Sequence, residues 1–248
     1  MSERLTGHRG RHTFLAWSGA AVVIMTAVAS VAAAAVIAAR QHELAATGQR
    51  PSGIPAAIPT GTVNLMGLSP VPASKAPGFV LTDQHDHRLP LSAFRGKVVV
   101  LEFMDSRCTD VCPLISREFI DAYHDLGRAA AHVVFAAVNV NGRYNHVGDV
   151  LAYSRAQQLT AIPDWYFFTG PASALQAVWR AYAIAVAASS RGTLVHTSAI
   201  FFIGPHGTER YIADPVPDRT ASGAAYLPPG QISGWGQGIA QVAETMLR

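Results

Sequence analysis

A near-continuous apolar run, Val98 to Phe103, leads directly into Cys108 and Cys112, the only cysteines of the 248-residue chain. A segment apolar on both faces reads as a buried central strand of a parallel sheet that helices cover on both sides. Pro113 suits the first turn of a helix, where its missing N–H goes unused. The stretch SRCTDVCP is therefore a strand-to-helix junction with both thiols at or just before the helix amino terminus. There the helix dipole favours anionic sulfur. A purely structural disulfide fits poorly, because closing a loop of about five residues removes only about 2 kcal/mol of denatured-state entropy. A chain of this length buries a full core without such a staple. The pair is accordingly read as reactive or metal-binding.

From Pro77 onward, short apolar runs alternate with helical patterns, the signature of an α/β domain. Val133 to Val140 reads as a second buried strand. Between the two strands, Leu114, Phe119, Tyr123 and Leu126 recur at three- and four-residue spacing, which predicts an amphipathic helix. Further helices are expected over Asp149 to Leu159 and Ala172 to Val186. Ser198 to Ile203 is expected to be a strand, Gly204-Pro205-His206-Gly207 a turn, and Arg210 to Ala213 the hairpin partner. A last helix is expected from about Gln231 to Leu247, weakened by Gly234, Gly236 and Gly238. The Pro- and Gly-rich segment Asp214 to Gly230 reads as a loop near the site.

The amino-terminal part is of another kind. Thr13 to Ala39 holds no charged residue over 27 positions, and at about 1.5 Å rise per residue a helix of that length crosses an apolar layer of about 30 Å with tilt. A cleaved secretory signal is the rival reading, but its apolar region usually runs about 7 to 15 residues. Arg4, Arg9 and Arg11 precede the span and Arg40 alone follows closely, so residues 1–12 are expected in the cytoplasm and everything after the anchor outside it. Residues 40–76, rich in Ala, Pro and Gly, are expected to be a tether without a core of its own. The functional domain is then 77–248. A formal net charge of +3 with no basic stripe interleaved with aromatics argues against a nucleic-acid partner.

Residues four apart on a helix carry Cβ atoms about 5–6 Å apart, whereas a disulfide wants about 3.8 Å. The cysteine spacing thus admits metal chelation directly and disulfide formation with modest unwinding, and both states stay open. Two thiolates with one imidazole suit copper among the common metals. The residues alone leave the third ligand open among ten histidines. His85 and His87 flank Asp86 in what reads as an exposed turn; His124 and His132 lie on or after the helix that follows the cysteines. His206 belongs to the Gly-Pro-His-Gly turn, and His196 leads into the strand that begins at Ser198.

Phe79, Leu81 and Asp83, then Phe94-Arg95-Gly96-Lys97, then Cys108, Asp110, Val111, Cys112 and Pro113, then Thr169-Gly170, and finally His196-Thr197-Ser198 form a recognisable set. On these residues the domain resembles the Sco/SenC family, membrane-anchored proteins of thioredoxin-like fold that carry copper for assembly of cytochrome c oxidase. The resemblance implies a central mixed sheet flanked by helices, with copper ligands at Cys108, Cys112 and His196. It also implies a copper-accepting membrane protein, an oxidase subunit, as partner. The chain departs from the family at Thr109, where proline is usual, and at Val195, where an acidic residue commonly precedes the histidine. It departs again at Asn141-Gly142-Arg143-Tyr144-Asn145, where an aspartate-rich loop has become amides. The negative charge around the expected ligands is therefore thinner. The alternative function is a thiol–disulfide reductase that uses Cys108 and Cys112 and has no need of His196.

Overall fold

The computed structural model describes residues 50–188, 194–215, 218–221, 225–228 and 230–248. In chain order, α1 (Thr60–Leu65), β1 (Ser69–Lys75), β2 (Val80–Thr82) and β3 (Arg88–Pro90) precede the central strand β4 (Val98–Met104). Helix α2 (Cys112–Leu126), β5 (Val133–Asn139), α3 (Val147–Ala156), β6 (Trp165–Phe168) and α4 (Ala172–Ala181) follow. The remainder is β7 (Val186–Ala188), β8 (Leu194–His196), β9 (Ile200–Ile203), β10 (Thr208–Ala213), β11 (Asp218–Arg219), β12 (Ala225–Tyr226) and α5 (Gln231–Met246).

Every residue of β4 and β5 is buried, as the unbroken apolar runs require. They pair in parallel, Val98 opposite Val133, and β6 continues the parallel set with Trp165 opposite Phe135. On the other side β9 runs antiparallel to β4, β10 antiparallel to β9 and β1 antiparallel to β10. The six-stranded order is β1-β10-β9-β4-β5-β6, a mixed sheet of the thioredoxin-like kind. Alternation along β4 sends Val98, Val100 and Met104 into the core layer shared with α1, α2, α3 and α5. Val99, Leu101 and Phe103 point to the opposite layer, which α4 and the β2–β3 hairpin complete. The cysteine junction lies at the carboxyl end of β4, in the middle of the sheet.

Four local expectations change. The stretch assigned to a tether is part of the domain from residue 50 onward: Ile54, Ile58, Val63, Met66 and Leu68 are buried in the layer with α2 and α5, and β1 pairs with β10. Its prolines are compatible with this, because Pro70 and Pro72 lie on an edge strand, where a missing N–H costs no ladder bond. The helix α3 starts at Val147 rather than Asp149, since Asp149 closes a capping box by accepting from the His146 N–H at 3.1 Å. It stops before Gln158, which takes a left-handed φ of 60°. The helix α4 ends at Ala181, short of the expected Val186, because Ala183 turns the chain with φ 55° into β7. Strand β6 and the hairpins β2–β3 and β7–β8 are too short to show a period.

The glycines that weaken α5 as an isolated helix are required by its neighbours. A Cβ at Gly236 would lie 2.6 Å from Asp121 Cβ and 3.0 Å from the Ala122 backbone nitrogen, and one at Gly238 would lie 2.5 Å from Met66 sulfur. Helix α2 crosses α5 at backbone contact, and the side chains of Thr62 and Met66 pack onto Gly238. No helix among the described residues is long and apolar enough to cross a membrane. The expected anchor 13–39, the cytoplasmic tail 1–12 and the tether residues 40–49 lie outside the described residues.

Candidate metal and thiol site

Cys108 lies in the loop after β4 and Cys112 is the first residue of α2. The Cys108 N–H donates to the Asp105 carbonyl at 3.0 Å, which turns the chain. The Cys112 N–H donates to Cys108 Sγ at 3.4 Å. The helix amino terminus therefore points a free donor at one sulfur. Both thiols are free, Cys112 buried and Cys108 half-buried. The Cys112 thiol donates to Cys108, and together with the N–H groups of Asp110, Val111 and Cys112 this lowers Cys108 to about 6 in spite of its burial. The same bond and its own burial push Cys112 well above the usual thiol value. Near neutral pH the two sulfurs hold one proton, which sits on Cys112.

A polar frame fixes this junction. Asp105 Oδ1 accepts from the Arg107 N–H at 2.8 Å and from Asn141 Nδ2 at 2.8 Å. Asn139 Oδ1 accepts from the Asn141 N–H at 2.9 Å, and its Nδ2 donates to the Tyr144 carbonyl at 2.8 Å. The loop after β5 is thereby tied to the loop after β4. The amide at 141 has a physical reason, since an aspartate there would set a second carboxylate against Asp105. The Arg107 guanidinium lies 4.3 Å from the Tyr144 ring centre and 3.0 Å from Asp149 Oδ1. Ala225 of β12, in the segment Asp214 to Gly230, reaches the site: its N–H donates to Asp110 Oδ1 at 2.7 Å, between the two cysteines in sequence.

Two buried carboxyls have no counterpart in the sequence reading. Glu102, inside the run taken as apolar, is 0% exposed, and Glu118 on α2 is 2% exposed. Glu102 Oε1 accepts from Ser198 Oγ at 3.1 Å, while Oε2 of both residues finds no hydrogen-bond partner. Burial raises each carboxyl to about 8, and the Glu102 charge pushes Glu118 further in the same direction. At neutral pH both are predominantly protonated. Glu102 also raises Cys112, so this carboxyl and the buried thiol share one electrostatic environment. Glutamate at six-residue offsets from each cysteine was the available signal.

His196 ends β8 and pairs with Val186 of β7. Its Nδ1 lies 3.0 Å from the Thr197 carbonyl; a carbonyl only accepts, so Nδ1 carries the hydrogen and Nε2 keeps its lone pair. Among the described residues no group of three or more His, Cys, Asp or Glu side chains is gathered to hold a metal ion. The structure thus brings Cys108 and Cys112 together and leaves His196 outside that pair. His124 and His132 lie in the last turns of α2 and of the following 3-10 helix, and His206 in the β9–β10 turn.

Residues 69–222 match the family model SCO1/SenC. Apo Sco1 from Thermus thermophilus is 20% identical, with 71% of this chain and 92% of that chain covered and a TM-score of 0.56. Copper-bound ScoI from Arabidopsis thaliana is 16% identical over 69% of this chain and 99% of its own, with a TM-score of 0.54. BsSco, a member of the Sco family of cytochrome c oxidase assembly proteins in which a disulfide switch was identified, is 18% identical over 60% of this chain and 88% of its own, with a TM-score of 0.51. No curated protein matches the chain by sequence. At these identities the structural likeness establishes the fold.

Proposed function

The chain belongs to the SCO1/SenC family, and from that premise we propose that it is a copper carrier that delivers the ion to a partner protein during assembly of a respiratory oxidase. The observation that carries this reading is the pair of free thiols, Cys108 and Cys112, brought together at the amino terminus of α2 with the Cys112 N–H 3.4 Å from Cys108 Sγ. Soft thiolates select Cu(I). Cys108 offers a thiolate at once, and Cys112 gives up its proton as its sulfur binds, so each ion captured as a dithiolate releases about one proton. The family resemblance makes His196 the third ligand; because the structure leaves it outside the cysteine pair, this reading requires the β7–β8 hairpin to carry its Nε2 to the thiols when copper binds. The copper-bound Arabidopsis relative supports the choice of metal. The description of BsSco as an oxidase assembly protein supports an oxidase subunit as acceptor. We further propose that residues 13–39 anchor the chain in the membrane with the carrier domain on the extracytoplasmic side.

A second reading is favoured by the unequal cysteines. The half-buried thiolate of Cys108 can attack a partner's disulfide, releasing one partner thiolate and forming a mixed disulfide. Cys112, after losing its proton, then attacks Cys108 Sγ and releases the second partner thiolate. The partner is reduced and the Cys108–Cys112 pair oxidised. This exchange has no use for His196.

His196→Ala separates the two. For a carrier, the change should weaken copper retention by at least tenfold against a competing chelator, while the cysteine pair still forms a disulfide. A reductase should reduce a model disulfide at close to the parent rate with His196→Ala. Unchanged copper retention in the variant, together with rapid disulfide reduction by the parent, would discard the carrier reading in favour of the second.

A further inference from the structure

The β2–β3 turn holds two histidines that neither reading uses. Asp83, 1% exposed, organises it: Oδ1 accepts from the His85 N–H at 2.8 Å and from the His87 N–H at 2.9 Å. Asp86 between them takes a left-handed φ of 67°, a conformation Asp tolerates better than most residues, and so closes the turn. The two imidazoles end up side by side, with ring centres 6.3 Å apart and planes tilted by 43°. Asp83 Oδ2 lies 3.3 Å from His87 Nδ1. A carboxylate accepts, so this contact places the ring hydrogen on Nδ1 and leaves the Nε2 lone pair open, on a side chain that is 70% exposed.

We propose that His85 and His87 form a second metal site, distinct from the cysteines, that binds Cu(II) through two imidazoles with Asp83 as the outer carboxylate that orients one of them. Two imidazoles on one ion, each at about 2 Å, have ring centres from about 4.5 Å apart at a right angle to about 6.3 Å apart when trans. The observed 6.3 Å is at the wide end of that range, and binding turns the two exposed side chains toward a common ion. A ligating histidine that donates its other ring N–H to a carboxylate is the usual supporting arrangement for a bound metal. Imidazole suits copper, nickel and zinc, and the stability order among divalent ions puts Cu(II) first. Two protein ligands leave further positions to water, in keeping with the absence of a three-residue cluster among the described residues.

The site is independent of the carrier reading by position as well. Gln84 Nε2 donates to the Trp165 carbonyl at 2.8 Å and its Oε1 accepts from the Phe167 N–H at 2.8 Å, so the turn lies along the outer edge of β6. The cysteines lie beyond the end of β4, two strands away. A Cu(II) ion here would be held by nitrogen ligands while the thiols stay free.

The test uses the full chain carrying Cys108→Ser and Cys112→Ser, so that copper binding to the thiols is blocked. Cu(II) is titrated against a competing chelator, and the bound ion is read by electron paramagnetic resonance. The parent should hold one Cu(II) more than the double variant His85→Gln/His87→Gln, with hyperfine coupling to imidazole nitrogen that the variant loses and an affinity at that site at least tenfold higher. His206→Gln, a lone exposed turn histidine, should behave as the parent. Equal Cu(II) uptake and the same spectrum for parent and double variant would overturn the proposal, and circular dichroism of the variant excludes misfolding as the cause of a loss. Because the thiols are absent throughout, a failure here leaves the carrier reading untouched.

Discussion

Burial at single residues sets the chemistry of this domain. Glu118 is enclosed on α2 with one carboxyl oxygen unpartnered, and its value is raised from 4.5 to about 8. A carboxyl raised in the folded state contributes most below its unfolded value, and that contribution is lost as pH climbs through the folded one. Stability should therefore fall between about pH 4.5 and pH 8, the window set by Glu118 and by Glu102, which shifts likewise. Glu118→Gln should flatten that fall, shrinking the difference between unfolding free energies at pH 5 and pH 8 by about 1–3 kcal/mol. Urea titrations of parent and variant at the two pH values check it, and equal pH slopes would show that Glu118 ionises freely. The cysteines were legible from spacing and Pro113, because a strand-to-helix junction is a local pattern. The unequal sharing of their proton was not, since it depends on which sulfur the fold encloses.

At the scale of elements, what the sequence reveals depends on length. The strands β4 and β5 and the helix α2 stand out because each is buried or amphipathic over seven residues or more. Strand β6 spans four residues and β2, β3, β7 and β8 three each, too few to carry a period. They form because the sheet edge and the site loops hold them. The helix α5 inverts the local signal, since its glycines lower intrinsic helix propensity while allowing α1 and α2 to approach. Gly236→Ala gains about 1 kcal/mol of propensity but meets the Asp121 and Ala122 backbone region, and the net effect should be a loss of about 1–3 kcal/mol. Gly234→Ala meets only the tip of Leu65 at 3.0 Å and should be close to neutral. Denaturant unfolding of the two variants side by side measures the contrast, and equal stabilities would mean that α5 shifts to make room.

On the scale of the whole molecule, the domain begins earlier than composition indicates. The apolar anchors Ile54, Ile58, Val63, Met66 and Leu68 are separated by prolines and small residues, so no period announces them, yet each is buried by tertiary packing. Removing residues 1–49 should leave thermal stability nearly unchanged. Removing 1–68 should lower it by several kcal/mol, since full burial of one such side chain is worth about 1.5–3 kcal/mol. Calorimetry of the two truncated chains checks this, and equal melting temperatures would show that the early anchors contribute nothing. The sheet also has two rims, and they are treated differently. Along β6 the outward groups of Trp165 and Phe167 are taken by the Gln84 amide, and Thr169 exchanges bonds with Thr82 at 2.9 and 2.7 Å. Along β1, Pro70 and Pro72 supply no N–H, and the register shifts between Pro70 and Ser74. A rim whose groups are already taken, as along β6, or one interrupted by prolines and a bulge, as along β1, is a poor template for another chain's backbone. Strand addition is thereby discouraged at both rims, which favours recognition by side chains and loops at the ends of the strands, where the thiols already stand.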